Sequence, residues 1–299
     1  MVLFTHVDDI LLEWGALERY RLERNRRMAV VIQMTNFSPE LMAKFGLTPR
    51  LDAEVDGTTL SKCLTQIGFD VRHVRDANRA EILDLVTKYV TDKPSCFFLA
   101  LTTHAVVAKA GTDQERLAAY DALLTREELI SCLEGEGLKK VPKILIFQAA
   151  LCAKPAESSE LSSAFNTLRR STSSLRRSNA NKTDATRPLA LPTCILPDLL
   201  VVSSAINQYC QFKNVKSGSE FLQRFVHAAL DFNAKKPSLD FEKLMTRING
   251  QFVHRNYVAD SSPGLFDPHH PSPNWAACEK PRYTLSIVST LTKQLFLFE

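Results

Sequence analysis

The stretch at residues 143–152 constrains the fold of this chain more than any other part of the sequence. It begins directly after Pro142 as a continuous apolar run, which is typical of a strand buried on both faces of a sheet. In sheets of that kind, ligands and chemistry collect where the carboxyl ends of the strands open onto loops. We therefore expect a functional site at Gln148-Ala149-Ala150, although Ala150 offers no nucleophile.

The rest of the chain alternates strand patterns with helical patterns. Together they predict an α/β sandwich with a mainly parallel sheet of about six core strands and about five helices. The runs that predict strands are residues 28–34, 69–74, 96–101, 143–150, 199–204, 283–288 and 291–298. The stretches that predict helices are residues 56–68, 80–89, 125–133, 217–232 and 239–252.

Composition excludes several classes of protein. Of the 299 residues, 45% are hydrophobic and 23% charged, so the chain has enough apolar residues for a substantial core. A net charge of +4 is too small to indicate nucleic-acid binding. Neither a membrane-spanning run nor a signal peptide is recognisable, and the seven cysteines form no CxxC pair. We expect reduced thiols in the cytoplasm, no membrane or nucleic-acid partner, no metal and no cofactor.

A change of composition divides the chain into parts. Ser, Thr, Asn and Arg dominate residues 153–193, which is typical of an exposed, flexible linker. The predicted organisation is a lead-in at 1–17, a first part at 18–154, a linker at 155–192 and a second part at 193–299. The paired arginines among the linker serines also fit a kinase target or an anion-binding patch.

Six segments together resemble a known family. Residues 98–105 (Phe-Leu-Ala-Leu-Thr-Thr-His-Ala) and 142–149 (Pro-Lys-Ile-Leu-Ile-Phe-Gln-Ala) resemble the caspase strands that lead into Ser-His-Gly and Gln-Ala-Cys-x-Gly. In caspases the histidine lies about 50 residues upstream of the cysteine, and His104 precedes Ala150 by a similar distance. Arg50 with residues 54–56 resembles the segment of the first pocket arginine. Residues 209–214, 244–249 and 287–293 resemble parts of the small subunit.

The resemblance implies a caspase-like three-layer sandwich with a central, mostly parallel, six-stranded sheet. It also implies roles for individual residues and a dimer that forms through small-subunit strands, such as residues 291–298, with an active caspase or a second copy as partner. The implied positions are the catalytic base at His104, the nucleophile at Ala150, the oxyanion loop at Ala105, the aspartate pocket at Arg50, Gln148 and Lys213, and linker cleavage after Asp184.

Departures from the family pattern predict a catalytically inactive, regulatory homologue. Cysteine proteases need a thiolate beside an imidazole, and Ala150 supplies only a methyl group. Ala105 stands for a glycine, and Lys213 for an arginine whose bidentate fork lysine cannot reproduce. Three alternatives stay open. They are an engineered Ala150 in an active Asp-specific endopeptidase, a nucleophile shifted to Cys152, and a scaffold regulated by phosphorylation of the linker.

Overall fold

The computed structural model describes residues 18–90, 92–107, 115–151, 196–204, 213–214, 217–235, 240–253 and 285–297. The strands in these residues are β1 (Arg27–Gln33), β2 (Asp70–Arg75), β3 (Cys96–Val107), β4 (Glu115–Ala118), β5 (Leu123–Leu124), β6 (Lys143–Leu151), β7 (Leu199–Ser203), β8 (Lys213–Asn214), β9 (Gly218–Ser219) and β10 (Ser286–Ser289). The α-helices in the same residues are α1 (Pro39–Phe45), α2 (Leu51–Gln66), α3 (Arg79–Val90), α4 (Arg126–Ser131), α5 (Glu220–Lys235) and α6 (Phe241–Val253).

The central sheet has the strand order β10-β7-β6-β3-β1-β2. Its pairs are parallel except for β10, which runs antiparallel to β7 at one edge. Strands β4 and β5 extend the sheet from the far end of β3. The two strands at the centre, β3 and β6, are each buried by helices on both faces, which explains their continuous apolar runs.

Alternate residues of the strands face two separate hydrophobic cores. One core lies under helices α2, α5 and α6, and it contains Ala29, Val31, Phe98, Ala100, Ile144, Ile146, Leu64, Phe225 and Leu244. The other lies under helices α1, α3 and α4, and it contains Val30, Ile32, Leu99, Leu101, Leu145, Phe147, Leu41, Ile82 and Leu129. The predicted three-layer α/β sandwich is therefore confirmed.

Local signals account for several helix ends. Thr125 and Glu128 form a reciprocal capping box at the start of α4. Gly46 closes α1 in the left-handed conformation, with φ of 65°, which glycine adopts without strain.

The predicted strand at 291–298 is wrong. Residues 291–297 carry only isolated bridges at Gln294 and Phe296, to Arg19 and Asp240. Leu295 and Leu297 are buried in the first core, so this segment packs against its own chain.

Two strands run further than the sequence predicts. β3 continues through His104 to Val107, and β6 continues to Leu151, so the site residues lie within the ladder. Ala105, predicted in a loop, lies in β3 between partners in β4 and β6. The lead-in at 1–17, the linker with Asp184, and Cys152 lie outside the described residues. No helix in the described ranges is long and apolar enough to cross a membrane.

Candidate active site

The register of β3 against β6 aligns His104 directly with Ala150. The next pair in the same ladder is Ala105 with Leu151. Neighbouring strands lie about 4.8 Å apart, so residues aligned in this way are adjacent across the ladder. The sequence-predicted base and nucleophile positions are thus brought together by the two central strands. Ala150 carries no atom that can act as a nucleophile.

The imidazole of His104 is buried and held by the backbone. Its Nε2 lies 2.8 Å from the carbonyl oxygen of Thr48, which accepts a hydrogen bond and so requires the proton on Nε2. The ring of Phe37 lies beside the imidazole, with centroids 5.2 Å apart and a tilt of 39°. In a neutral imidazole with its proton on Nε2, Nδ1 is the acceptor nitrogen, which is the atom that a general base uses.

Arg50 extends from the start of α2 to the ends of β3 and β6. It is the N-cap residue of the helix, and its side chain is fully buried. Its Nη1 donates to the backbone carbonyls of Thr103 and, at 3.2 Å, of Gln148. These two carbonyls belong to the residues just before His104 and Ala149, so the guanidinium lies directly beside the aligned pair. The predicted pocket residues Arg50 and Gln148 are therefore in contact.

Sequence reasoning missed the acidic partner of Arg50. The Asp52 carboxylate lies 2.5 Å from Nη2 through Oδ2, with a longer contact of 3.4 Å from Nε to Oδ1. The Asp52 side chain is only 4% exposed. The pair is a buried, bidentate arginine–carboxylate contact, which is the strong geometry for this kind of recognition.

The remaining predicted pocket residues are placed differently. Gln148 is buried and aligned with Thr102 in the ladder. Lys213 belongs to the two-residue strand β8, which pairs with β9 in a separate small sheet. β9 in turn packs against α2, the helix that begins beside Arg50.

A buried carboxylate joins this small sheet to α2. Asp56 Oδ1 accepts hydrogen bonds from the backbone N–H of Ser219 at 2.8 Å and from Gln223 Nε2 at 3.3 Å. Burial raises the pKa of Asp56 to about 6, against the lowering influence of the Ser219 hydrogen bond. Asp56 therefore ties the first part of the chain to the second part, beyond the predicted linker.

The site combines an oriented imidazole with a buried guanidinium, and a methyl group stands at the aligned nucleophile position. The imidazole and the guanidinium can still hydrogen-bond to neighbouring polar groups. Ala150, however, cannot form a covalent intermediate with a substrate. Among the described residues, no group of three or more His, Cys, Asp or Glu side chains is arranged to hold a metal ion. His269, His270 and Cys278 are residue types that bind zinc, but the sequence offers no fourth ligand at suitable spacing, and all three lie outside the described residues.

Comparison with known proteins gives consistent matches over most of the chain. The family model for the caspase domain matches residues 26–295. Caspase-6 of Gallus gallus is 24% identical over 244 residues, which cover 79% of this chain and 73% of that protein. Caspase-3 of Mesocricetus auratus is 24% identical over 277 residues, which cover 91% of this chain and 83% of that protein. Caspase-3 of Oryctolagus cuniculus is 22% identical over 277 residues, which again cover 91% of this chain and 83% of that protein.

Proposed function

The chain belongs to the caspase family, and from this premise we propose that it is a catalytically inactive homologue that regulates an active caspase by pairing with it. The observation that carries the proposal is the alignment of His104 with Ala150 across β3 and β6. Cysteine proteases attack their substrates with a thiolate activated by a neighbouring imidazole. Here the imidazole position is filled and the thiol position is not.

The preserved framework supports a binding role. His104 is bonded to Thr48, and buried Arg50 joins β3 to β6 through the carbonyls of Thr103 and Gln148, all without a reacting thiol. A folded homologue that binds only the ordered state of a partner raises the fraction of partner molecules in that state. The size of the shift is set by the difference between its affinities for the ordered and disordered states. The cytoplasm, where thiols stay reduced, is the proposed place of this pairing.

The proposed pairing surface is strand β10, at the edge of the central sheet. Members of the caspase family dimerise, and the small-subunit-like part of this chain supplies β10. In the described part of the chain, β10 has β7 as its only sheet neighbour. Val288 on this strand is 40% exposed, and an exposed apolar edge strand favours pairing with another strand. Residues 291–297 pack onto their own chain, so we propose β10 as the contact instead of that segment.

The test is an activity assay with two components. The purified chain is assayed on an aspartate-ended peptide, first alone and then at increasing concentration with an active caspase such as caspase-3. We expect no turnover by the chain alone and a saturable change in the rate of the partner. Turnover by the chain alone that disappears in a Cys152→Ala variant would overturn the proposal and identify a shifted nucleophile.

A pair of variants locates the contact. Val288→Lys places a charge on the proposed edge and should abolish the change in partner rate, because charged edge residues oppose strand pairing. Tyr120→Lys is the matched control, since Tyr120 is 36% exposed but follows β4, which pairs with β3 and β5, whereas β10 pairs with β7. Equal effects of the two variants would exclude β10 as the contact. If the change in partner rate persists after removal of residues 156–190, the linker is excluded as the binding element.

A further inference from the structure

We propose that Asp52 is a built-in occupant of the carboxylate-binding position on Arg50, which closes the pocket to the side chain of an aspartate-ended peptide. The inference rests on the proposed function in one respect, because that function takes the chain to be an inactive caspase homologue, whose aspartate pocket would lie at Arg50. It adds a second departure from an active protease that is independent of Ala150.

The hydrogen-bond capacity of the guanidinium supports this assignment. An arginine side chain has five N–H donors, one on Nε and two on each terminal nitrogen. Nη1 donates to the carbonyls of Thr103 and Gln148, while Nε and Nη2 face the two oxygens of Asp52. The edge formed by Nε and Nη2, which would grip an incoming carboxylate by a fork, is therefore occupied. A peptide aspartate can use that edge only by displacing Asp52.

Burial makes such displacement costly. The Arg50 side chain is 0% exposed and that of Asp52 is 4% exposed. Removing one partner from a buried ion pair leaves an uncompensated charge, which is far more unfavourable than breaking a surface pair. A peptide would have to desolvate its own carboxylate while the Asp52 carboxylate lost its contact with the Arg50 guanidinium.

The position of Asp52 in the chain gives it a further advantage over a free ligand. It lies two residues after Arg50, in the first turn of the 16-residue helix α2, where the helix dipole favours a negative charge. A covalently attached ligand competes at an effective concentration of roughly millimolar or higher. Asp52 is thus both tethered and electrostatically favoured.

A purely structural role for Asp52 makes a different prediction. If the carboxylate only neutralises a buried cation, its removal will destabilise the chain and create no affinity for acidic peptides. If Asp52 occupies a pocket that still has the shape to accept a carboxylate, its removal will create that affinity. Peptide binding therefore separates the two roles in a way that a stability measurement alone does not.

The experiment measures binding of a fluorescent tetrapeptide ending in aspartate, by anisotropy, to the full chain and its Asp52→Ala variant. An otherwise identical peptide ending in asparagine is the control ligand. We expect no saturation by the wild-type chain up to about 1 mM peptide and at least about tenfold tighter binding by Asp52→Ala, for the aspartate peptide only. Adding Arg50→Ala to the variant should remove the gain. Arg50-dependent binding by the wild-type chain, with an affinity equal to that of Asp52→Ala, would overturn the proposal.

Acetate provides a readout that does not depend on the peptide. In Asp52→Ala the vacated position should accept acetate, so roughly 0.1 M sodium acetate should raise its melting temperature relative to sodium chloride at equal ionic strength. The wild-type chain should show no difference between the two salts. If Asp52→Ala stays unfolded in both salts, Asp52→Ser replaces it, because its shorter side chain vacates the carboxylate position beside Arg50 and keeps a polar group in the first turn of α2. A folded variant that binds neither acetate nor the aspartate peptide would contradict the proposal.

The outcome is separable from that of the proposed function. Regulation is read from the rate of the partner caspase, whereas the role of Asp52 is read from peptide and acetate binding by the chain alone. Peptide binding through Arg50 by the wild-type chain would refute the proposed role of Asp52 and would not affect the proposed regulation of a partner caspase. Loss of any effect on the partner, with a gain of peptide binding in Asp52→Ala, would do the opposite.

Discussion

The carboxylate of Asp56 on α2 accepts a hydrogen bond, at 2.8 Å, from the backbone N–H of Ser219 at the end of β9. These residues lie on opposite sides of the long segment that separates the two parts of the chain. The contact is buried, and Gln223 on α5 donates to the same Oδ1 atom. This one carboxylate therefore fastens the two parts of the chain to each other.

The first prediction concerns the pH dependence of stability. Burial raises the pKa of Asp56 from 3.8 to about 6, with nearby Arg50 lowering it and Asp52 raising it. The folded chain then binds the proton more tightly than the unfolded chain between these values. The contribution of Asp56 to the free energy of unfolding therefore falls as pH rises through this window, and it is constant above it.

Asp56→Asn tests this because the amide does not titrate. The free energy of unfolding of the wild-type chain, measured relative to that of Asp56→Asn by urea denaturation, should fall by up to roughly 3 kcal/mol between about pH 4 and pH 7. Other carboxylates titrate in both proteins and cancel in the difference. A difference that is the same at every pH would contradict the assignment.

A second prediction tests the close approach at the same contact. Gly218 has φ of +81°, and a Cβ at this position would collide with Asp56 Oδ1. Gly218→Ala should therefore lower the free energy of unfolding by about 2 kcal/mol or more, because both the backbone and the carboxylate would have to shift. Gly250→Ala is the matched control. Gly250 lies inside α6 with open space around it, and this change should stabilise the chain by up to about 1 kcal/mol. Equal melting temperatures for the two variants would refute the argument.

A third prediction concerns the way in which the C-terminal segment is held. The hydroxyl of Tyr20 donates to Asp198 Oδ1 at 2.5 Å and accepts from the backbone N–H of Thr292 at 3.0 Å. Tyr20→Phe should lower the free energy of unfolding by about 1–3 kcal/mol, since a buried carboxylate loses a donor. Tyr120→Phe, at an exposed site, should change it by less than about 0.5 kcal/mol. Similar losses from both, in denaturant titrations, would count against this role of Tyr20.

The sequence predicted the strands correctly where both faces of the sheet are buried. β3 and β6 are covered on both faces, so their residues form continuous apolar runs that few other structures produce. The segment at 291–297 misled the same reasoning. Its alternating pattern buries Leu295 and Leu297, as a strand would, but they lie in the first core and the segment makes only isolated bridges, to Arg19 and Asp240. Alternation reports burial of every second residue and not the presence of a strand partner.

The position of the site could be predicted from the sequence, but the occupation of Arg50 by Asp52 could not. The resemblance placed His104, Ala150, Arg50 and Gln148 together, and the strand register brings them together. The pairing of Arg50 with Asp52 was not predictable, because residues two apart do not share a helix face. It can form because Arg50 is the N-cap residue and has a non-helical backbone, with φ of −108° and ψ of 79°, so the spacing rule for residues inside a helix does not apply to it.

The last prediction combines the two departures from an active protease. Ala150→Cys restores a thiol beside His104. With Asp52 still bound to Arg50, this single variant should not be labelled by an aspartate-ended peptide chloromethyl ketone, in which the thiolate would displace chloride. Ala150→Cys with Asp52→Ala should be labelled at the introduced thiol at least about tenfold faster, because the pocket then holds the reagent in place.

Iodoacetamide, which needs no pocket, is the control reagent and should react with the introduced thiol equally in both variants. Mass spectrometry of the proteolytic fragment that contains position 150 measures the rates and separates this thiol from the native cysteines. Fast labelling of the single variant by the chloromethyl ketone would mean that Asp52 does not close the pocket.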